Sequence, residues 1–319
     1  MRVFRGHCPP ELVAAGCAVT IGNFDGVHRG HQAMLALLTN EARHRGLASC
    51  VLTFEPHPRD FFARRAGQPG AAPARVATLR DKLAELERCG IDQVVVARFD
   101  ERFAGQSPQA FIDDVLLRGL GARYVLVGDD FRFGAQRAGT YALLDEAGGR
   151  AGFDVARMNS YEVHGLRVSS SAVREALAAG DMKGAATLLG RSYSISGHAV
   201  HGAKLGRTLG FRTLNLRFGH PKPAAMGIFV VQVHGLTDQP LQGVASLGVR
   251  PTVEEAGRVL LEVHCLQWPL ALDAGYGRLL RVDLLHKLHD ELKYPSLDAL
   301  REGIARDTAD ARAWFGQGH

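Results

Sequence analysis

The stretch CAVTIGNFDGVHRGH, residues 17–31, joins a short apolar run to a glycine-rich segment with two histidines three residues apart. The apolar run has the composition of a buried strand. Beyond it, Met34, Leu37 and Leu38 recur at helical spacing and form one apolar face. A buried strand that passes through a glycine-rich turn into a helix is typical of an α/β fold.

Short β-branched runs alternate with helical patterns from residue 17 to about residue 168. The runs are CAVTI, SCVLTF, QVVVARF and RYVLVG. Between them, Thr78 precedes LRDKLAEL, and Ser107 with Pro108 precedes QAFIDDVLL, which are typical helix starts. The alternation predicts a parallel sheet with crossover helices.

The pattern changes to strands and turns near residue 185. Six strand-like runs follow with few helices between them: SYSISGHAV, RTLNLRF, GIFVVQVHG, GVASLGV, RVLLEVHCL and RLLRVDLLH. They predict a six-stranded antiparallel β-barrel, closed by one C-terminal helix over about residues 296–315. The length of 319 residues also favours two domains, which we place at 1–184 and 185–319.

Composition narrows the class of protein. The chain is 46% hydrophobic, and its net charge of +5 is spread along the sequence, which favours anionic small-molecule ligands over nucleic acid. The five cysteines show no CxxC spacing, so they indicate neither a disulfide framework nor a zinc site. With no apolar segment of signal-peptide or membrane-spanning length, we expect a cytoplasmic protein without a membrane partner. The oligomeric state stays open.

The first candidate site is the segment with the two histidines. His28 and His31 share a helix face, which points them along the carboxyl edge of the sheet. The helix N-terminus supplies free N–H groups, and Gly22, Gly26 and Gly30 let a phosphate approach the backbone. This arrangement predicts a cradle for a nucleoside triphosphate. A structural histidine pair in a turn is the alternative, and a zinc half-site would need further ligands that are not evident.

The segment GNFDGVHRGH resembles the HxGH signature of the nucleotidylyltransferase superfamily, and in particular bacterial FMN adenylyltransferases. Further matches follow in order: TFEPHP, GDDFRFG and VSSSAVREAL, at residues 53–58, 128–134 and 168–177. The last resembles the motif Ser-Ser-Thr-x-x-Arg, with Ser171 in place of Thr and its hydroxyl retained. The resemblance implies a Rossmann-like domain that joins FMN to the AMP part of ATP and releases pyrophosphate.

The same resemblance assigns roles to individual residues. It implies catalytic roles for His28, His31 and Arg174, the last holding the leaving pyrophosphate, and ATP or phosphate contacts for Gly22, Asn23, Asp25, Gly30, Ser170 and Ser171. It implies flavin binding by Phe54, Asp130, Phe131 and Phe133. The three phenylalanines are equally well read as core aromatics.

The second candidate site begins with HGAKLGRTLGFRTLNL, residues 201–216. Gly197, just before this stretch, and Gly202 have the gap of a P-loop, but the Lys-Ser/Thr pair that must follow is absent, which argues against a Walker ATPase. Thr213 and Asn215 alternate along a strand, so their oxygens share a face and can serve Mg²⁺. A structural role for both is the alternative.

This run resembles the riboflavin kinase signature Gly-x-x-x-Gly-Arg-x-x-Gly-Phe-Pro-Thr-x-Asn, with Arg212 in place of Pro. SLGVRPTV and LLEVHCL follow in the family's order. The resemblance implies Glu262 as general base for the riboflavin 5′-hydroxyl. It also implies ATP binding by Gly202, Lys204, Gly206 and Arg207, and metal binding by Thr213 and Asn215. A Glu at this position of a strand is otherwise typical of a solvated face.

The closing run AGYGRLLRVDLLHKLHDELKYPSLDAL resembles the family's Leu-Tyr-Gly and Arg-x-Glu-x-Lys-Phe-x-Ser elements. His289 takes the Arg position and Tyr294 the Phe position. The missing guanidinium would weaken a contact to flavin or phosphate.

The chain is therefore identified as a member of the bacterial bifunctional riboflavin kinase/FMN adenylyltransferases, or FAD synthetases. Membership implies riboflavin, FMN and ATP as substrates, FAD as product and Mg²⁺ as the ATP-associated metal. Three alternatives differ in activity: a single-activity adenylyl- or cytidylyltransferase with a binding barrel, a flavin carrier with inactive sites, and an aminoacyl-tRNA synthetase relative. The last lacks a Lys-Met-Ser-Lys-Ser loop.

Overall fold

The computed structural model describes residues 1–159, 161–163, 166–201, 212–219, 222–249, 259–268 and 275–317. The chain separates into two compact units. The first comprises Met1–Pro73 and Lys82–Val168, and the second comprises Ala74–Asp81 and Ser169–His319. A short segment from within the first half of the sequence thus belongs to the second unit. The domain boundary between residues 184 and 185 stays a prediction.

The first unit is built on a six-stranded sheet in which every neighbouring pair is parallel. Its strands are β1 (Arg2–Arg5), β2 (Cys17–Ile21), β3 (Ala48–Glu55), β4 (Gln93–Arg98), β5 (Ala122–Gly128) and β6 (Asp154–Met158). They lie in the order β1-β4-β3-β2-β5-β6. A short antiparallel pair, β7 (Glu162–Val163) and β8 (Leu166–Arg167), follows.

Helices connect the parallel strands, as the sequence alternation predicts. They are α1 (Pro10–Ala15), α2 (Arg29–His44), α3 (Pro58–Arg65), α4 (Leu79–Arg88), α5 (Glu101–Ala104), α6 (Pro108–Ala110) and α7 (Tyr141–Ala151). The predicted start at Ser107 is confirmed, because its hydroxyl accepts the backbone N–H of Ala110 at 3.1 Å. Residues Phe111–Leu117 continue α6 as a π-helix.

Both faces of this sheet are covered, so its central strands are buried along most of their length. All five residues of β2 are buried, and Leu52, Val95 and Val125 are at most 1% exposed. The strand order reverses direction at β2, which has β3 on one side and β5 on the other. Open α/β sheets bind ligands at such a point, beyond the carboxyl ends of the strands. The segments that follow β2 and β5 are those with the nucleotidylyltransferase motifs.

The second unit contains the barrel. Its helices are α8 (Ser170–Ala179), α9 (Met182–Leu189) and α10 (Leu297–Gly316), and its strands are β9 (Tyr193–Val200), β10 (Leu214–Arg217), β11 (Gly227–His234), β12 (Leu241–Val249), β13 (Val259–Cys265) and β14 (Leu279–His289). The strands close antiparallel in the order β10-β13-β12-β11-β14-β9. The predicted architecture of both halves is confirmed.

Side chains alternate between the inside and the outside of the barrel. Leu214, Leu216, Leu261 and Val263 belong to the buried interior cluster, as does Phe229. The residues between them, on β10 and β13, point to the opposite face. On β11 and β12 that outer face packs against α10, whose Ala311 is fully buried beside two valines, Val230 and Val244.

Residues 74–81 bind to the barrel unit through backbone and carboxylate contacts. The backbone N–H of Arg75 donates to the Lys222 carbonyl at 2.9 Å, and the Asp81 carboxylate accepts the Ser196 N–H at 3.1 Å. Burial raises the pKa of Asp81, against hydrogen bonds from Thr78 and Ser196 that lower it. Among the residues described above, no helix combines the length and the apolar character needed to cross a membrane.

Candidate active sites

The first site forms where β2 passes into α2. His28 is the N-cap of α2, and its Nδ1 accepts the backbone N–H of His31 at 3.3 Å. A neutral imidazole has one ring proton, so a ring that accepts at Nδ1 carries its proton on Nε2. His28 therefore caps the helix with one nitrogen and has an N–H donor on the other.

The rings of the two histidines are stacked, with centroids 3.6 Å apart and planes inclined by 17°. Gly30 makes room for this stack. A Cβ atom at Gly30 would lie 3.3 Å from two atoms of the His28 ring and 3.4 Å from the Val168 carbonyl oxygen. The glycine of the HxGH motif is therefore a steric requirement of the histidine pair.

The loop before the histidines is strained and buried. Phe24 and Val27 have positive φ angles of 47° and 41°, which non-glycine residues rarely adopt, and both side chains are 1% exposed. Asp25 between them is 2% exposed. Strain of this kind costs of order 1–3 kcal/mol per residue and is concentrated at functional sites.

The electrostatics of the loop favour a neutral His31. Burial lowers its pKa well below 6.5, and the nearby charges of His28 and Lys82 act in the same direction. His31 Nδ1 and Asn23 Oδ1 are buried and have no hydrogen-bond partner among the described residues. Buried polar atoms are nearly always paired, and these two lie in the loop for which the sequence predicts ATP contacts.

The segment after β5 carries part of the predicted flavin site. Phe131 is half-buried and stacks on the buried Phe133, with centroids 5.5 Å apart, whereas Asp130 is exposed. Phe54, at the end of β3, is 9% exposed and packs edge-on against Phe99. Flavin binding by these residues stays a prediction. Phe131 and Asp130 are the two whose side chains are accessible to a ligand.

Ser170, Ser171 and Arg174 lie in the first turns of α8, in the second unit. The N-cap of this helix is Ser169, whose hydroxyl accepts the Ala172 N–H at 3.2 Å. Arg174 Nε donates to the Ala74 carbonyl oxygen at 2.7 Å. The roles of the three residues toward ATP and pyrophosphate stay predictions.

The second site lies on the outer face of the barrel, where a row of polar side chains crosses three strands. Asn215 on β10 is directly opposite Glu262 on β13, and Glu262 is opposite Ser246 on β12. Directly opposite residues of antiparallel strands have Cβ atoms roughly 4.5–5.5 Å apart. The barrel register therefore brings together Glu262 and Asn215, which the sequence assigns to base and metal, and adds Ser246.

Ser246 connects this row to the segment after β14. Its hydroxyl donates to Glu291 Oε1 at 2.9 Å. The Glu291 carboxylate also lies directly over Gly248, where a Cβ atom would clash with it. A second carboxylate is thus positioned one strand away from Glu262.

The backbone that leads into β10 is held at two points. His264 Nδ1 donates to the Arg212 carbonyl at 2.9 Å, and the Tyr276 hydroxyl donates to the Thr213 carbonyl at 3.3 Å. Burial lowers the pKa of His264, which keeps the ring neutral. These contacts restrain the backbone where Arg212 replaces the family's proline. Gly202, Lys204, Gly206 and Arg207 lie outside the described residues.

His289 is opposite Ile228, which is itself opposite Ser246. Its Nε2 is 2.9 Å from Asp307 Oδ1 on α10, and its Nδ1 is 2.7 Å from the Asp290 carbonyl oxygen. Two acceptors require a proton on both nitrogens, so the ring is an imidazolium. Burial lowers its pKa, but the hydrogen bonds and the charge of Asp307 outweigh burial and raise it. The protonated ring is paired with Asp307, and the effect of His289 in place of the family's arginine stays a prediction.

Sequence patterns did not indicate the contacts that Ser246 and Lys82 make near the two candidate sites. Ser246 contacts a residue 45 positions away, and Lys82 contacts one 29 positions away. Each is one polar residue in an otherwise ordinary strand or helix pattern. The barrel register identifies Ser246, and burial identifies Lys82, which is 1% exposed.

Comparison with known proteins shows the family of both halves of the chain. The sequence model described as FAD synthetase matches residues 11–172, and the one described as riboflavin kinase matches residues 189–315. The bifunctional riboflavin kinase/FMN adenylyltransferase of Escherichia coli strain K12 is 46% identical over 318 residues, or 99% of this chain and 98% of that protein. The chain belongs to this bifunctional family.

Other family members are similar over nearly their whole length. The Haemophilus influenzae protein is 41% identical and covers 99% of both chains, and the Pseudomonas fluorescens protein is 45% identical over 98% of this chain and 97% of its own. A crystal structure described as a macrolide-efflux protein from Streptococcus pneumoniae shares the fold. Its TM-score is 0.75 with 25% identity, over 98% of this chain and 100% of that one.

Proposed function

We infer that this family member makes FAD from riboflavin in two steps, one in each half of the chain. The barrel half phosphorylates riboflavin to FMN, and the parallel-sheet half transfers AMP from a second ATP to FMN. The observation that carries the proposal is the presence of a separate polar constellation in each compact unit. The stacked histidines lie at the strand-order reversal of the first, and the Asn215–Glu262–Ser246 row crosses the second.

Adenylyl transfer needs alignment and charge stabilisation more than a base, because the FMN phosphate is already an anion. A phosphate oxygen of FMN attacks the α-phosphorus of ATP, and the bond to the bridging oxygen breaks to release pyrophosphate. We assign the Nε2–H of His28 and the ring of His31 to the phosphate oxygens of ATP. The buried His31 Nδ1, which has no hydrogen-bond partner among the described residues, supports this assignment.

Riboflavin phosphorylation needs a base. In the proposed step, the Glu262 carboxylate accepts the proton of the 5′-hydroxyl as that oxygen attacks the γ-phosphorus, and ADP leaves. The position of Glu262 between Asn215 and Ser246 supports the role. A general base contributes typically 10²–10⁴-fold to the rate.

We propose Mg²⁺ as the metal that accompanies ATP in the barrel half. The hydroxyl oxygen of Thr213 and the amide oxygen of the buried Asn215 are hard donors of the kind this cation prefers. When bound, the ion neutralises charge on the phosphates. Within the described residues, no group of three His, Cys, Asp or Glu side chains forms a metal site, which favours a metal held largely by substrate phosphates.

We also propose the cytoplasm as the site of action. All five cysteines lie within the described ranges, and no disulfide bond joins any of them. Three, Cys17, Cys50 and Cys265, are buried, and burial raises the pKa of Cys265 to about 12. Thiols kept reduced suit a reducing compartment.

Two variants test the division of labour. Purified protein is incubated with Mg²⁺, ATP and either riboflavin or FMN, and the flavins are separated by chromatography. Glu262→Gln should lower FMN formation by roughly 10²–10⁴-fold and leave the conversion of supplied FMN to FAD unchanged. His28→Ala with His31→Ala should have the opposite effect, so that FMN accumulates from riboflavin.

Matched controls remove similar groups elsewhere. Glu302→Gln deletes an exposed carboxylate on α10, and His44→Ala deletes an exposed imidazole at the end of α2. Both should keep both activities. Undiminished kinase activity in folded Glu262→Gln protein would refute Glu262 as base, and undiminished FAD formation in the double histidine variant would refute the first site.

A further inference from the structure

Lys82 is a buried cation beside the first site. Its side chain is 1% exposed, and its ammonium lies 3.3 Å from the Thr53 hydroxyl and 3.6 Å from Glu55 Oε1. It is also the only lysine among the first 168 residues, where every other permanent cation is an arginine. A lysine presents a compact point charge, whereas an arginine presents a planar fork.

The placement of Lys82 is unfavourable for folding. A buried charge loses its hydration, and its attraction to a partly exposed carboxylate only partly offsets that loss. Lys82 also lies in the first turn of α4, where the helix dipole disfavours a positive charge. Replacing a whole buried ion pair with apolar residues of similar volume is often neutral or stabilising, whereas removing one partner of such a pair is destabilising. A buried cation at this position therefore calls for an explanation in its contacts.

A chain of hydrogen bonds links Lys82 to the loop between β2 and α2, called here the phosphate loop. The Lys82 ammonium donates to the Thr53 hydroxyl, and that hydroxyl donates to the Asn23 backbone carbonyl at 3.3 Å. Thr53 is fully buried at the end of β3. Asn23 is the residue whose buried Oδ1 has no partner among the described residues, two positions after the end of β2.

We propose that Lys82 is a positioning residue for adenylyl transfer: its buried ammonium orders Thr53 and Glu55 at the end of β3, and through Thr53 it fixes the Asn23 end of the phosphate loop. This inference rests on the proposed function of the first site. It adds a residue from α4 to a site otherwise formed by the loop after β2. The ammonium of Lys82 would thus add a positive charge next to the loop that is proposed to bind the anionic ATP phosphates.

The electrostatics around His31 agree with this placement. The charge of Lys82 is one of the influences that lower the pKa of His31, after burial and the charge of His28. Two carboxylates also lie in this part of the first unit: Glu55, beside Lys82, and Asp25, which is buried in the loop between β2 and α2. Lys82 is therefore close enough for its charge to act on the histidine pair.

The first experiment compares Lys82→Met with Arg88→Met, which removes an exposed cation from the same helix. Conversion of FMN to FAD and of riboflavin to FMN is measured on the same preparations of the full chain. We expect Lys82→Met to lower kcat for FAD formation roughly 10- to 100-fold, with the KM for ATP much less affected. Kinase activity of Lys82→Met should match the parent, which shows that the variant is folded, and Arg88→Met should match the parent throughout. Thermal unfolding of both variants is recorded as well, because removing one partner of a buried ion pair lowers stability.

Two further readouts separate positioning from a structural role. In a double-mutant cycle, Thr53→Val combined with Lys82→Met should lower the rate little more than Lys82→Met alone, because both changes break one chain of contacts. In an NMR titration of the histidine rings, Lys82→Met should raise the pKa of His31, since a nearby positive charge has been removed.

The outcomes are distinguishable. If the parent protein forms FAD and Lys82→Met forms it at the same kcat, the positioning role is wrong while the proposed function stands. Additive effects of the two substitutions, or an unchanged pKa of His31, would also overturn the role. If the parent forms no FAD, the proposed function itself fails.

Discussion

The charged pair of His289 and Asp307 makes the stability of the barrel unit depend on pH. The pKa of His289 is raised above its ordinary value of 6.5, because the hydrogen bonds and charge of Asp307 outweigh the lowering effect of burial. A group whose pKa is higher in the folded state stabilises that state while it is protonated. The contribution is therefore complete below about pH 6.5 and is lost as the pH rises through the folded-state pKa.

The contribution of this pair to stability depends on how far its two side chains are exposed. The His289 side chain is 31% exposed and that of Asp307 is 12% exposed. A buried hydrogen bond to a charged group contributes about 1.5–3 kcal/mol, and an exposed ion pair about 0–1 kcal/mol. The His289–Asp307 pair is partly exposed, so we expect it to contribute about 1 kcal/mol to the free energy of unfolding. With urea slopes of about 1–3 kcal/mol per molar, the unfolding midpoint should fall by about 0.3–1 M between about pH 5.5 and about pH 8.5.

Tryptophan emission is a suitable probe, because both tryptophans, Trp268 and Trp314, belong to the second unit. His289→Arg is the matched variant, since it keeps a positive charge at both pH values. The change in urea midpoint between the two pH values is measured for both proteins. Subtracting the change seen in His289→Arg from that of the parent removes the contribution of other titrating groups. We expect the parent to lose more stability than His289→Arg as the pH rises. Equal losses in the two proteins would refute the imidazolium pair.

Three further substitutions have defined outcomes. Gly30→Ala brings a Cβ atom to 3.3 Å from the His28 ring, so FAD formation should fall roughly tenfold while FMN formation persists; equal rates would contradict the steric role of the glycine. Ser246→Ala removes the hydrogen bond to Glu291 and should lower the free energy of unfolding by about 0.5–1.5 kcal/mol, measured with urea. An unchanged free energy of unfolding would mean that this hydrogen bond does not contribute to stability. Phe229→Ala empties a fully buried position in the barrel and should cost about 3–5 kcal/mol in the same assay; a cost below 1 kcal/mol would mean that the barrel interior is not tightly packed there.

The parts of the fold that follow from sequence are those with a strong apolar signal. The four central strands of the first unit and the six strands of the barrel are all present as predicted. β1 and β6 were not predicted, because edge strands lack a continuous apolar run. β1 reads RVFR and is mostly exposed, and β6 reads DVARM without a fully buried residue. The apolar stripe of QAFIDDVLL predicts a helix but not its π-helical hydrogen bonding.

The candidate sites likewise contain residues that sequence motifs predict and residues that only the structure reveals. Contiguous motifs identify the histidine pair, and the family resemblance points to Asn215 and Glu262, whose pairing the barrel register then supplies. Contacts between residues far apart in the chain leave no local trace in the sequence. The link from Lys82 through Thr53 to Asn23 and the bond from Ser246 to Glu291 are of this kind. The bond from His289 to Asp307 is likewise a long-range contact, and the weaker flavin or phosphate contact expected from His289 stays a prediction.

The most direct measurement follows individual phosphorus atoms from ATP into the flavins. Parent protein is given riboflavin with ATP radiolabelled either at the γ-phosphorus or at the α-phosphorus. We expect γ-label in both FMN and FAD, and α-label in FAD alone, with unlabelled FMN beside it. FMN without γ-label, or FAD without α-label, would contradict the assignment of one ATP-dependent transfer to each half of the chain.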